Sequence, residues 1–271
     1  GFNCGIVGLP NVGKSTIFNA LTAAGAAVAN YPFCTIDPNI GIVVVPDPRL
    51  ETLAEMLSPQ KVTPTTIEFV DIAGLVQGAS RGEGLGNKFL GHIREVDALI
   101  HIVRCFEDPD VIHVGGTVDP KRDIEIVRTE LILADLDTVE RRLEKTERLA
   151  KVGDKDARKA SSMLERLRDT LDRGLPARLL PAEEDAPEQR TLRRDLHLLT
   201  DKKVLYVANV GEEMLKSGAP PPADVDAVAA REGAGVVTIC GDLEAEIAEL
   251  PPEERQAFLD DLGLAESGLQ K

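Results

Sequence analysis

The stretch GLPNVGKST, Gly8 to Thr16, constrains this chain more than any other. It carries the spacing G-x-x-x-x-G-K-S, follows the apolar run FNCGIV and opens the helical segment KSTIFNALTAA. A strand, a glycine turn and a helix start in that order form a phosphate cradle. The glycines let successive backbone N–H groups turn inward, and the helix N-terminus adds its own partial positive charge. A chance Gly-rich turn would have no reason to sit between a strand and a helix. The spacing predicts that Asn11, Val12, Gly13 and Thr16 wrap the phosphates. Lys14 reaches the β- and γ-phosphates as a catalytic charge, and the Ser15 hydroxyl ligates Mg²⁺.

The remaining short β-type runs are NIGIVVV, TTIEFVDI, ALIHIVRCF, KVLYVANV and GVVTIC. Several are apolar on both faces, as a covered sheet requires, and helical segments or Gly-rich loops separate most of them. The pattern predicts an α/β fold with a doubly wound, mostly parallel sheet.

One interval breaks that rhythm. Between ALIHIVRCF and KVLYVANV, the residues Ile132, Leu136, Val139, Leu143, Thr146 and Ala150 fall three and four apart. After VGDKD, the residues Ala157, Ala160, Leu164, Leu167 and Leu171 do the same. Two such seams joined by a polar turn predict an antiparallel helical hairpin, an inserted coiled-coil arm. PAEEDAPEQR reads as a surface loop, followed by a return helix through Leu192, Leu196 and Leu199. The expected division is 1–120 and 201–271 for the nucleotide-binding domain, with 121–200 as the arm.

Charge and cysteine usage narrow the function. With 31 basic and 46 acidic residues the formal charge is -15, which argues against a protein that coats nucleic acid, and no DNA partner is expected. Cys4, Cys34, Cys105 and Cys240 form no C-x-x-C pair, which suits a reducing compartment and gives no support for zinc. No apolar run is long enough to span a bilayer, so the expectation is a soluble cytoplasmic protein without a membrane partner.

Downstream of the phosphate loop, TTIEFVDIAG ends a strand in Asp71-x-x-Gly74. There a carboxylate can hold Mg²⁺ through water and the Gly74 N–H can meet a γ-phosphate. In NYPFCTIDPN, Thr35 would complete the metal shell as an order–disorder switch, although taken alone it reads as an ordinary loop threonine. The segment after Asp71 is glycine-dense, as a second switch must be.

GLPNVGKST, NYPFCTIDPN and DIAGLVQGASRGEGLGNKFL together resemble the Obg-related P-loop NTPases. With VRCFED, VIHVGG and YVANVGEE, the whole chain is similar to YchF-type Obg-like ATPases. The resemblance implies a G domain bearing a coiled-coil arm, association with ribosomes and a preference for ATP. The family's C-terminal TGS domain would be expected to follow GLAESGLQK, outside these 271 residues.

Base choice is where the residues depart from GTPases. In place of N-K-x-D, whose aspartate accepts two bonds from guanine, stands Asn209-Val210-Gly211-Glu212. Val210 lacks the stem that covers the base, and Glu212 is a methylene too long. Losing a matched bidentate contact removes discrimination of about 10⁴-fold. The Asn209 amide oxygen is expected to accept the adenine amino group. Cys240 and Gly241 occupy the position of a further base-contacting loop. ATP is therefore expected, with GTP weaker.

Catalysis shows a gap. The residue after Asp-x-x-Gly, a water-orienting glutamine in Ras-like proteins, is Leu75, so turnover should be slow. Asn11 resembles the asparagine by which related NTPases hold K⁺. His113 is a water-positioning candidate if its loop folds over the nucleotide, and a structural histidine otherwise. Arg81 ranks below both. A GTP-specific switch, or a binding module with incidental hydrolysis, remain the alternatives.

Residues 121–200 hold 18 basic and 18 acidic residues, whereas Arg141 to Lys159 hold eight basic and four acidic ones. A locally basic tip on an acidic protein suits contact with ribosomal RNA, although a solvated helix face would look similar.

Overall fold

The computed structural model describes residues 1–26, 39–72, 78, 86–182 and 185–271. Thr35, Gly74, Leu75 and Arg81 lie outside these residues. A six-stranded sheet organises the molecule, with strands β1 (Phe2–Val7), β2 (Ile40–Val44), β3 (Thr66–Asp71), β4 (Ala98–Cys105), β5 (Lys203–Val210) and β6 (Gly235–Ile239) in the order β2-β3-β1-β4-β5-β6. Only β2 runs antiparallel to its neighbour. All six strand-type runs in the sequence form strands, as their β-branched and large apolar residues favour, although Phe2, Ile40 and Ile42 at the sheet's margins are exposed.

The helices are α1 (Lys14–Ala26), α2 (Pro48–Leu57), α3 (Gly86–Glu95), α4 (Pro120–Lys151), α5 (Lys155–Asp172), α6 (Pro187–Asp195), α7 (Glu212–Lys216), α8 (Ala223–Glu232), α9 (Gly241–Glu249) and α10 (Pro252–Asp261). From β1 the chain moves toward β3, and from β4 it moves toward β5, so outgoing connections diverge between β1 and β4. Open α/β sheets bind ligands at such a switch point, outside the carboxyl ends of the strands.

The predicted hairpin is α4 and α5. Asp119 caps α4 by accepting the Arg122 N–H at 3.0 Å, with Pro120 at its first position. Asp154 caps α5, and Gly153 turns the chain with φ 98°. At 32 residues, α4 is about 48 Å long. It does not belong to the arm alone. Val127, Leu131 and Ala134 pack into the sheet core, and Ile124 packs with Val103 and Tyr206. Only from Ile132 onward does it pack with the arm residues Leu143, Met163, Leu164 and Leu167.

Two expectations need correction. The segment 181–190 is not simply a surface loop. Asp185 is buried and pairs with Arg166 at 3.0 Å, because a buried carboxylate needs a cation, and α6 already begins at Pro187. The return helix also stops at Asp195 rather than continuing through Leu199. Leu199 and Thr200 instead give their backbone N–H groups to the buried Asp135 of α4, at 2.8 and 2.7 Å.

Deep in the sheet, His101 of β4 is buried with its ring 5.5 Å from that of Tyr206. Burial pushes its imidazole down to about 4. The Tyr206 hydroxyl donates to Glu232, which also pairs with Arg128 and Arg178. That cluster ties β5, α8 and the base of the hairpin together.

Candidate nucleotide site

At the carboxyl ends of β1, β4, β5 and β6 lies a cleft of about 640 Å³, a size suited to a nucleotide. Asn11, Gly13, Lys14, Ser15 and Thr16 line one wall. Asn209, Val210, Gly211 and Glu212 line another, and Cys240, Gly241 and Asp242 a third. Residues more than two hundred positions apart therefore meet because their strands all end at one edge. Val12 is buried beneath the loop.

Gly13 is required twice over. Its φ of 88° is left-handed, and a Cβ there would lie 2.3 Å from Asn209 Nδ2. That side chain is the hub of the cleft. Asn209 Nδ2 donates to the Val12 carbonyl at 2.9 Å, and its Oδ1 accepts the Gly241 N–H at 2.9 Å. The Asn209 oxygen, expected to meet adenine, already accepts one protein N–H. The residue is 4% exposed, and both ends of its amide bridge protein loops.

Val210 is also buried, at 1% exposure. Glu212 pairs with Lys216 one turn along α7. Cys240 caps α9, and burial raises its thiol.

Asp71 ends β3 in register beside Ile6 of β1, which brings its carboxylate to the phosphate loop, where it pairs with Lys14. The two side chains are 11% and 19% exposed, so the pair is largely shielded from solvent, and Lys14 lines the cleft. The Ser15 hydroxyl and the Asp71 carboxylate are hard oxygen donors, few in number. That donor set fits Mg²⁺, which keeps several of its own waters.

Arg104, at the end of β4, was not anticipated from the sequence. It is 1% exposed, and its guanidinium donates to the carbonyls of Asn11 at 3.2 Å, Phe106 at 3.2 Å and Val111 at 2.7 Å. It also lies 4.5 Å from the Phe106 ring centroid, and Phe106 lines the cleft. The Asn11 side chain adds a bond from Nδ2 to the Ile112 carbonyl at 2.9 Å. The loop after β4 is thereby fastened to the phosphate loop. The signal in the sequence was positional: VRCFED straddles the carboxyl end of a strand.

His113 does not face the cleft. It is 6% exposed, its Nε2 lies 2.5 Å from Asp123 Oδ2, and its Nδ1 accepts the Gly115 N–H at 2.8 Å. In this arrangement it is a structurally bonded histidine.

The 50S ribosome-binding GTPase family matches residues 3–165. The chain is 55% identical over 269 residues to the ribosome-binding ATPase YchF of Bacillus subtilis, covering 98% of this chain and 73% of that one. It is 54% identical over 271 residues to the protein of the same name from Escherichia coli O157:H7, covering 100% and 74%. Among solved structures it is similar to the YchF GTPase of Schizosaccharomyces pombe, with a TM-score of 0.81 and 34% identity over 99% of this chain and 73% of that one. At these identities and coverages the chain belongs to the YchF family of P-loop NTPases.

Proposed function

We propose that this chain is a Mg²⁺-dependent P-loop NTPase that binds ATP and hydrolyses it slowly, as a nucleotide-gated switch on ribosomes in the cytoplasm. Relatives at 54–55% identity carry the name ribosome-binding ATPase, and nucleotide hydrolysis is the property of the matched family. The observation that carries the reading is the cleft itself, where phosphate-binding and base-binding residues converge. No helix of the described residues is long and apolar enough to cross a membrane, in keeping with a cytoplasmic partner.

Lys14 and the backbone N–H groups at the start of α1 hold the β- and γ-phosphates, with Asn11, Val12, Gly13, Ser15 and Thr16 shaping the loop around them. Ser15 and Asp71 would hold Mg²⁺, with Thr35 as a further ligand and the Gly74 N–H on the γ-phosphate. When bound, the metal would supply neutralisation of phosphate charge. Asn11 Oδ1 would hold K⁺. His113, released from its present bonds, orients the attacking water that Leu75 cannot.

Preference for ATP over GTP follows from what replaces the guanine-matched set. Val210 is buried, and the Glu212 carboxylate is engaged by Lys216, so neither is poised for guanine. Cys240 and Gly241 offer backbone contacts. Calorimetry with both nucleotides tests this. ATP should bind at least tenfold more tightly, about 1.4 kcal/mol, and a tenfold preference for GTP overturns the base assignment. A GTPase is the second reading, since the fission-yeast relative is called one.

The division expected from the sequence, 1–120 with 201–271 and an arm over 121–200, stays part of the proposal. The arm's basic tip would meet ribosomal RNA. Leu149 and Val152 are exposed there, at 56% and 82%, among the basic residues of Arg141 to Lys159. Charge reversal of Arg148 and Lys151 should weaken ribosome co-sedimentation and leave ATP affinity unchanged.

A further inference from the structure

The loop around His113 is buried in an inverted sense. His113 is 6% exposed, while its apolar neighbours Ile112 and Val114 are 77% and 56% exposed. Because Nδ1 accepts the Gly115 N–H, it carries no proton, and the ring is the tautomer whose Nε2–H donates to Asp123. Both nitrogens are engaged, so neither can hold a water in the cleft. The loop packs closely at Gly115, where a Cβ would lie 2.6 Å from the tip of Arg122 and 3.2 Å from His113 Cε1.

Asp123 belongs to the first turn of α4. Seven residues on, and so on the same helix face, Glu130 accepts the N–H of Gly78 at 2.8 Å. Through these two buried carboxylates one helix holds both the His113 loop and Gly78. The far end of that helix is the arm.

We propose that Asp123 is a positioning residue for hydrolysis, a latch that keeps His113 out of the cleft until displacement of α4 releases it. The proposal rests on the reading that His113 orients the attacking water. Release costs one charge-assisted bond, and since Ile112 and Val114 are already exposed the loop gives up little apolar burial by moving, so the two states can lie close in free energy. A partner that seizes the arm pulls the same helix, and hydrolysis becomes coupled to docking.

The test compares ATP turnover in the native chain, Asp123→Ala, Asp123→Asn, His113→Ala and the double variant Asp123→Ala with His113→Ala. The state of the imidazole is read by ¹⁵N NMR in each protein that keeps His113. Asp123→Ala should raise kcat about three- to tenfold with KM for ATP unchanged, as a minor released population becomes the major one. The native ring should show the single Nε2–H tautomer, and the variant a mixture. Asp123→Asn should give a smaller rise, because its amide oxygen still accepts Nε2–H without charge. It carries the test if the alanine variant does not fold. The rise should vanish in the double variant.

Turnover at or below the native rate in a variant whose ring is free overturns the latch, and so does a rise that survives loss of His113. His113→Ala hydrolysing at the native rate overturns the water-orienting reading beneath it, a failure visible without touching Asp123.

Discussion

Asn209 Nδ2 donates to the carbonyl oxygen of Val12 at 2.9 Å, although the two residues lie 197 positions apart. The same amide accepts the Gly241 N–H, so three loops at the sheet's edge share one side chain. The arrangement separates holding the cleft open from reading the base.

Asn209→Ala should therefore weaken ATP and GTP by similar factors, through loss of two buried hydrogen bonds at roughly 1–3 kcal/mol each. Gly13→Ala should do the same by driving a methyl into Asn209 and straining φ. Calorimetry with both nucleotides checks this. A loss confined to ATP would return Asn209 to the base.

The Lys14–Asp71 pair gives a metal prediction. Lys14→Ala should abolish measurable hydrolysis, since the charge facing the β- and γ-phosphates is gone. Ser15→Ala and Asp71→Asn should each raise the Mg²⁺ concentration needed for half-maximal turnover about tenfold or more, as an oxygen donor is lost from a small set. A magnesium titration that superimposes on the native curve would remove both residues from the metal site.

Arg104 braces the phosphate loop against the loop after β4 through three carbonyls. Lysine cannot span that fork, so Arg104→Lys should cost about 2–4 kcal/mol of stability and loosen both loops. Denaturant unfolding reads the first effect. Hydrogen exchange at residues 106–116 reads the second, and native protection there would show that the brace is dispensable.

His101 predicts an acid-labile core. Its folded value, about 4, lies below the ordinary 6.5, so the unfolded chain binds the extra proton between those values. Stability then rises with pH through that window and is flat above it. From pH 7 to pH 5 this one group should lose about 2 kcal/mol. His101→Phe, which cannot be protonated, should lose less over the same range in denaturant titrations. Parallel curves for the two proteins would assign the acid sensitivity elsewhere.

The base motif also acquires a constraint. Restoring guanine selectivity by Val210→Lys with Glu212→Asp is reasonable from the sequence, but Val210 is 1% exposed. The lysine would have to send its ammonium into the cleft, and the double variant should lose stability alongside any shift toward GTP. Thermal unfolding next to calorimetry separates the two effects.

Local chemistry is what the sequence by itself determined. The glycine spacing and lysine of Gly8 to Ser15, the six strand-type runs and the two apolar seams each depend on neighbours within a dozen or so residues. Short-range backbone geometry fixes them, so they were legible. The Asp185 cluster and the early end of the return helix were not, because a distant cation and the carboxylate of Asp135 decided them. The roles of Asn209 and His113 depended on the same kind of information. An amide and an imidazole look alike in sequence whether they face ligand or protein. Which they face is set by partners 197 and 10 positions away, brought close only by strand order and by where α4 starts. Arg104 is the extreme case: its three acceptors are backbone carbonyls, which every residue has, so no pattern of side chains could announce them.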